Sequence, residues 1–99
     1  MAARIEIPGD AIVEFCRRNH IRRLALFGSV IRDDFTPQSD IDVLVEFEPG
    51  CTPGFAFFDM RRELIDMLGR EVDLKTAAAL SPYFRQEVLD EAEEIYVAS

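Results

Sequence analysis

The feature that most constrains the fold is a run of alternating residues, Asp40–Phe47, rich in valine and isoleucine. A period of two is typical of a β-strand that buries one face. The expected core face consists of Ile41, Val43, Val45 and Phe47. Asp40 and Asp42 share the other face, with Cα atoms roughly 6.5–7 Å apart at about 3.3 Å per residue. This strand therefore presents two neighbouring carboxylates on one side of a sheet.

Further helices and strands follow from apolar periodicity and from Gly and Pro punctuation. Asp10 is the expected N-cap of the first helix, and Pro82 the first residue of the last one. The order α-β-α-β-α-β-α predicts a layered α/β (α+β) fold in one domain spanning residues 1–99. The predicted elements are a helix from Asp10 to about Asn19, a strand Ile21–Phe27, a short helix from Val30 to about Asp34, a helix Phe57–Leu68, a strand Glu71–Lys75 and a helix from Ser81 to Tyr96.

The charge balance limits the partners that the protein can have. In 99 residues, 11 Lys and Arg stand against 19 Asp and Glu, a net charge of −8. This excess argues against binding of duplex DNA or RNA and against a polybasic membrane-surface protein. Cys16 and Cys51 are expected to be free thiols, and residues 1–8 lack a signal-peptide pattern, so we expect a cytoplasmic protein.

Two other segments can join Asp40 and Asp42 in one site. Gly28-Ser29 follows a predicted strand and precedes a helix, which suits a phosphate-binding turn, although a tight turn with an N-cap serine explains it as well. Asp73 stands alone in a short apolar strand, where it is either an edge-strand residue in water or a third carboxylate beside Asp42. Like charges this close repel each other unless a cation such as Mg²⁺ lies between them.

These residues together resemble a known family. Phe27-Gly28-Ser29, ten further residues and Asp40-Ile41-Asp42-Val43 are similar to the GS-x10-D-x-D signature of the DNA polymerase β-like nucleotidyltransferases. The stretch from Leu26 to Gly50 is close to the minimal nucleotidyltransferase (MNT) proteins. The later segments Val72-Asp73-Leu74 and Leu80–Tyr83 also resemble the C-terminal part of that group. The resemblance covers roughly residues 21–97 and implies the nucleotidyltransferase fold, with helices packed on a small mixed sheet.

The resemblance also implies a site and a reaction. Asp40, Asp42 and Asp73 would be the catalytic residues and hold two Mg²⁺ ions, which stabilise the attacking and leaving oxygens. Gly28, Ser29 and Arg32 would bind the phosphates of ATP. Asp33 departs from the family pattern, since many relatives have glycine there.

MNT proteins are commonly antitoxins paired with a HEPN-family toxin that cleaves RNA. The resemblance therefore implies a hetero-oligomer in which AMP is transferred from ATP to a toxin tyrosine. A non-catalytic antitoxin that masks the toxin by contact is the alternative, and nucleotide transfer to a small molecule is a third hypothesis.

Other conspicuous residues have plainer interpretations. His20 is expected at the surface or in a helix cap, and Arg61 and Arg62 on a solvated helix face. The acidic run Asp90–Glu94 is expected to be exposed helix surface. The Phe55–Met60 segment is expected to supply mostly core, with some aromatic surface left for a partner.

Overall fold

A computed structural model describes residues 7–32 and 35–98. Single 3-10 turns lie at Gly28–Ile31 and Ala77–Ala79. None of the helices in the described part of the chain has the length and apolar character needed to span a membrane. The helices and strands are α1 (Gly9–Arg18), β1 (Ile21–Phe27), β2 (Ile41–Phe47), α2 (Ala56–Leu68), β3 (Val72–Thr76), α3 (Arg85–Glu91) and β4 (Glu93–Val97).

The strands form one mixed sheet in the order β3-β2-β1-β4. β1 pairs antiparallel with both β2 and β4, whereas β2 and β3 are parallel. A parallel pair needs a crossover connection, and α2 supplies it. Gly69, with φ of 72°, ends α2, and its N–H donates to the carbonyl of Ile65 at 2.8 Å. The mixed sheet packed with helices confirms the expected fold class.

Both faces of the sheet are covered by apolar side chains. One face packs against α1 and α2, where Phe15 and Leu64 are fully buried. Ile41, Val43 and Val45 lie on this face, as the alternation predicts. The other face carries a smaller cluster of Ala25, Phe27 and Leu44, covered by residues of α3 and of the segment before it.

Three predicted helix starts are wrong in detail. The last helix, α3, begins at Arg85, and Pro82 lies in a turn before it. Pro8 is the N-cap of α1 and makes no side-chain cap hydrogen bond, so Asp10 lies in the first turn, where its charge suits the positive end of the helix dipole. The helix expected from Val30 is a single 3-10 turn that begins at Gly28 and ends at Ile31. The expected end of that helix, Asp34, lies outside the described residues.

The C-terminal prediction gives the wrong type of element for the last residues. The last helix ends at Glu91, and the strand β4 follows it. Ala92 has φ of −59° and ψ of 137°, which breaks the helix. Ile95 and Tyr96 pack on the main core from a strand. Without β4, the outer edge of β1 would leave a row of backbone N–H and C=O groups unpaired. The β-branched and aromatic residues of β4 also favour a strand.

An arginine ties three of the strands together. On β1, Arg23 Nη1 lies 2.9 Å from Glu46 of β2, and its Nε lies 2.5 Å from Glu94 of β4. The hydrogen bond from Arg23 is the main cause that lowers the pKa of Glu46, against a smaller opposing effect of burial. The acidic run therefore contributes to the sheet through Glu94, and is not simply exposed helix surface.

We predict that Glu46→Gln weakens the acid dependence of stability. A carboxyl whose pKa is lowered by folding stabilises the protein above its unfolded pKa of about 4.3, and this contribution is lost as the pH falls through the folded pKa. Glu46→Gln should cost about 1 kcal/mol at pH 7 and progressively less below pH 4. Urea unfolding at several pH values measures this, with exposed Glu87→Gln as the control. An equal cost at pH 7 and pH 3 would contradict the assignment.

Candidate active site

Three carboxylates meet at one end of the β2–β3 pair; we call Asp40, Asp42 and Asp73 the carboxylate cluster. Asp40 directly precedes β2 and is exposed, whereas Asp42 and Asp73 are half-buried within their strands. Asp42 and Asp73 are register partners in the parallel pair. Adjacent strands lie about 4.8 Å apart, so this pairing brings their side chains together on one face.

Electrostatics around Asp42 show how crowded the negative charge is. Burial raises the pKa of Asp42 most, followed by repulsion from Asp73 and, more weakly, from Asp40. The positive charges of Lys75 and Arg32 oppose this shift without cancelling it. Because the ionised form of Asp42 is disfavoured, a cation at this position would be stabilising.

Lys75 already supplies one positive charge here. Its Nζ lies 3.2 Å from Oδ2 of Asp73, two residues earlier on the same face of β3. Among the described residues, a group of three His, Cys, Asp or Glu side chains with donor atoms within 4.8 Å of one another lies elsewhere. The carboxylate oxygens of the carboxylate cluster are therefore spaced more widely than in that group. Oxygen-only donors with this excess charge fit Mg²⁺, which keeps several of its own waters and phosphate ligands.

Gly28 lies directly against the carboxylate cluster. Its φ is 72°, and a Cβ at this position would clash with Oδ2 of Asp42. The backbone conformation therefore favours glycine, and any larger residue would also have to displace the Asp42 carboxylate. The turn that it opens contains Ser29, whose carbonyl accepts the N–H of Arg32 at 3.0 Å. With one turn in place of the predicted helix, the helix dipole contributes little, and a phosphate would depend on this backbone and on the Ser29 hydroxyl.

Arg32 reaches the same region. It is exposed, pairs with Glu91 of α3 at 2.8 Å, and lies close enough to Asp42 to lower the pKa of that carboxyl. The structure thus brings Arg32, Gly28 and the carboxylate cluster together, with Ser29 beside Gly28. Asp33, where the family pattern has glycine, lies outside the described residues.

Two arginines that sequence reasoning missed hold the ends of the strands that carry the carboxylates. Arg70 Nη2 donates to the carbonyls of Thr36 and Ser39, at 2.8 and 2.9 Å, and so holds the loop before Asp40. Arg61 Nε donates to the carbonyl of Val72 at 2.8 Å, next to Asp73. Arg61 is therefore not simply part of a solvated helix face. No local pattern indicates these contacts, since they depend on the packing of α2 beside β3.

The aromatic segment Phe55–Met60, at the start of α2, divides between core and surface. Met60 is buried, but Phe55 and Phe58 are 90% and 65% exposed. Tyr83 and Phe84, which precede α3, are also exposed. Much more aromatic surface is left for a partner than the periodicity suggested.

We predict that Gly28→Ala is far more damaging than Gly50→Ala. Both glycines have positive φ, so alanine costs about 1–2 kcal/mol at either position. Gly50 has open space where the Cβ would lie, whereas the Gly28 Cβ would displace the Asp42 carboxylate. Gly28→Ala should therefore cost at least about 1 kcal/mol more and weaken Mn²⁺ or Mg²⁺ binding. Equal unfolding free energies and equal metal affinities for the two variants would refute the contact.

We also predict that Asp42→Asn stabilises the metal-free protein at pH 7. A carboxyl whose pKa is raised by folding destabilises the protein at pH values above that pKa, and the penalty disappears as the pH falls below it. The melting temperature of Asp42→Asn should exceed that of the wild type at pH 7 and converge with it near pH 3.5. Exposed Asp66→Asn, on α2, is the matched control. A lower melting temperature for Asp42→Asn at pH 7 would show that burial and repulsion do not dominate.

Comparison with protein families gives a match over most of the chain. Residues 10–95 match the family model described as "Nucleotidyltransferase domain". The chain is 40% identical over 79 residues to MJ0128 of Methanocaldococcus jannaschii, a candidate protein adenylyltransferase, covering 78% of this chain and 76% of that protein. It is 33% identical over 84 residues to the protein adenylyltransferase MntA of Thermococcus cleftensis, covering 85% and 82%.

Solved structures share the fold. A candidate minimal nucleotidyltransferase is 36% identical, with a TM-score of 0.70 and 84% of each chain covered. A toxin–antitoxin complex with AMP-PNP aligns with a TM-score of 0.72 at 22% identity, covering 94% of this chain and 76% of that one. An MNT antitoxin complexed with the tri-AMPylated HEPN toxin of Shewanella oneidensis aligns with a TM-score of 0.64 at 22% identity, covering 91% and 70%. The family match and the identities to its relatives show that this chain belongs to the nucleotidyltransferase family.

Proposed function

We propose that the protein is a Mg²⁺-dependent protein adenylyltransferase that acts as an antitoxin. It transfers AMP from ATP to a tyrosine of a HEPN toxin with which it forms a hetero-oligomer, in the cytoplasm where ATP is supplied. The observation that carries the proposal is the in-register pairing of Asp42 and Asp73, with Asp40 and Gly28 beside them. Its relative MntA is a protein adenylyltransferase, and structural neighbours contain AMP-PNP or an AMPylated HEPN toxin.

In this proposal the carboxylate cluster holds two Mg²⁺ ions. Bound there, the ions neutralise phosphate charge and stabilise the attacking and leaving oxygens of the transfer. The ions would stabilise the ionised form of Asp42 most, since burial, Asp73 and Asp40 all disfavour its charge when no cation is present. Asp73, which pairs with the Lys75 ammonium at 3.2 Å, would be a further ligand, and a divalent ion would supply a stronger positive charge there than the ammonium does.

The other site residues bind the nucleotide. Gly28 leaves room for a phosphate near the backbone, and the Ser29 hydroxyl donates to a phosphate oxygen. Arg32 exchanges its exposed ion pair with Glu91 for contacts with the phosphates. A guanidinium binds phosphate oxygens through two parallel hydrogen bonds, which are stronger than one exposed ion pair. The tyrosine oxygen then bonds to the α-phosphorus as the bond from that phosphorus to pyrophosphate breaks, and the hydroxyl proton is released.

The surface of the protein suits a protein acceptor. Phe55, Phe58, Tyr83 and Phe84 are all more than half exposed, and they leave aromatic surface on which a protein partner could pack. The net charge of −8 disfavours a nucleic acid in the same place. A folded toxin that presents a tyrosine meets both conditions.

We predict that label from α-³²P-ATP reaches the toxin only while the carboxylate cluster is intact. With purified toxin and Mg²⁺, Asp42→Ala and Asp73→Asn should lower the transfer rate at least about 100-fold, since each removes a metal ligand. Asp66→Asn, an equally conservative loss of an exposed carboxylate, should leave the rate unchanged. Transfer by Asp42→Ala at the wild-type rate would refute the assignment.

A binding-only antitoxin is the second candidate, favoured by the same exposed aromatics. Toxin RNase activity separates the two functions. A catalyst should neutralise many toxin molecules per antitoxin when ATP is present, whereas a masking protein needs one antitoxin per toxin and no ATP. Full neutralisation by Asp42→Ala at equal stoichiometry, with no label transfer by the wild type, would establish the second candidate.

A further inference from the structure

A second group of potential ligands lies at the opposite end of the β1–β2 pair. His20 directly precedes β1, and Glu48 and Cys51 follow β2. One donor atom from each of these three side chains lies within 4.8 Å of the other two. His20 and Glu48 are exposed and Cys51 is half-buried, so the group is open to solvent ions. We call these three residues the His20 site.

The backbone holds the His20 site in place before any ligand binds. The N–H of Glu48 donates to the carbonyl of His20 at 2.9 Å, and the N–H of Cys51 donates to the carbonyl of Glu48 at 3.0 Å. The first bond continues the antiparallel pairing in which Ile21 lies opposite Phe47, and the second closes the turn after β2. Gly50, with φ of 79°, allows the chain to turn so that Cys51 returns toward Glu48. The three side chains therefore project from one short, hydrogen-bonded segment of the sheet end.

The donor set selects the type of ion. An imidazole nitrogen, a thiolate sulfur and a carboxylate oxygen together are typical of zinc, whereas Mg²⁺ takes oxygen ligands. In a tetrahedral zinc site, bond lengths of about 2.0–2.3 Å place donor atoms roughly 3.3–3.8 Å apart. The three donor atoms already lie within 4.8 Å of one another, and the side chains of His20 and Glu48 are exposed, so neither is packed in place against this closer spacing. We propose that His20, Glu48 and Cys51 form a zinc site whose fourth position is open to water.

This site is independent of the carboxylate cluster. β1 has seven residues between His20 and Gly28, which at about 3.3 Å per residue separates the two ends by roughly 20 Å. The other cysteine, Cys16, does not compete, because it is fully buried and burial raises its pKa to about 12. Zinc at the His20 site would fasten the loop after β2 to the start of β1.

Cobalt substitution tests the proposal, because Co²⁺ bound to a thiolate has a near-ultraviolet charge-transfer band. Full-length, reduced protein without a polyhistidine tag is titrated with Co²⁺, and the bound ion is then displaced by Zn²⁺. We expect one equivalent to produce the band, and excess Mg²⁺ to leave it unchanged. Cys51→Ser should abolish the band, and His20→Ala and Glu48→Gln should each weaken Co²⁺ binding at least about 10-fold.

Matched variants keep the test decisive. Cys16→Ala retains the His20 site and should keep the band, and Asp42→Asn removes a ligand of the carboxylate cluster and should also keep it. Far-UV circular dichroism shows that each variant is folded. A band that survives Cys51→Ser, or equal Co²⁺ affinity in the wild type, His20→Ala and Glu48→Gln, would overturn the proposal.

Discussion

The parallel pairing of β2 with β3 is the constraint on which the rest of the site depends. It places Asp42 directly beside Asp73, so two carboxylates share a strand spacing of about 4.8 Å. The arrangement disfavours the ionised form of Asp42, whose pKa is raised first by burial and then by repulsion from Asp73. Such strain is expected where function, and not stability, determines the residues. The crossover through α2 and the contacts of Arg61 and Arg70 serve to keep this pair in register.

The other edge of the sheet, where β4 pairs with β1, fixes the position of β1. β1 carries the Gly28 turn at its end, so its position must be fixed on both sides. β4 pairs with its outer edge, and Arg23 links it to Glu46 and Glu94. The turn and the carboxylates are therefore held by a continuous sheet, and a rigid scaffold positions binding groups more accurately than loops do.

Local sequence was sufficient for the strand Ile41–Phe47, because its alternation records which face is buried. The same holds for the neighbourhood of Gly28 and Asp42, since the strand–turn order and spacing place both at adjacent strand ends. The sequence did not predict the strand Glu93–Val97, because the apolar residues continue beyond α3 at a helical spacing. The partner that determines the strand, the outer edge of β1, is 67–74 residues away in the chain, as with Arg23 and Val97. It also failed for Arg70, whose contacts with Thr36 and Ser39 exist only after α2 has packed.

The ion pair between Lys75 and Asp73 has a thermodynamic consequence. Because the ammonium occupies the carboxylate, a divalent ion arriving alone must compete with it, which lowers the apparent affinity of the site for the free ion. Under the proposed function, a displaced Lys75 would place a positive charge next to the position where phosphate charge would accumulate. A metal ion and an anionic nucleotide would therefore each make the other bind more tightly, and by the same factor, because such coupling is reciprocal. If the proposed function is right, the site would bind a metal ion weakly on its own and more tightly together with the nucleotide.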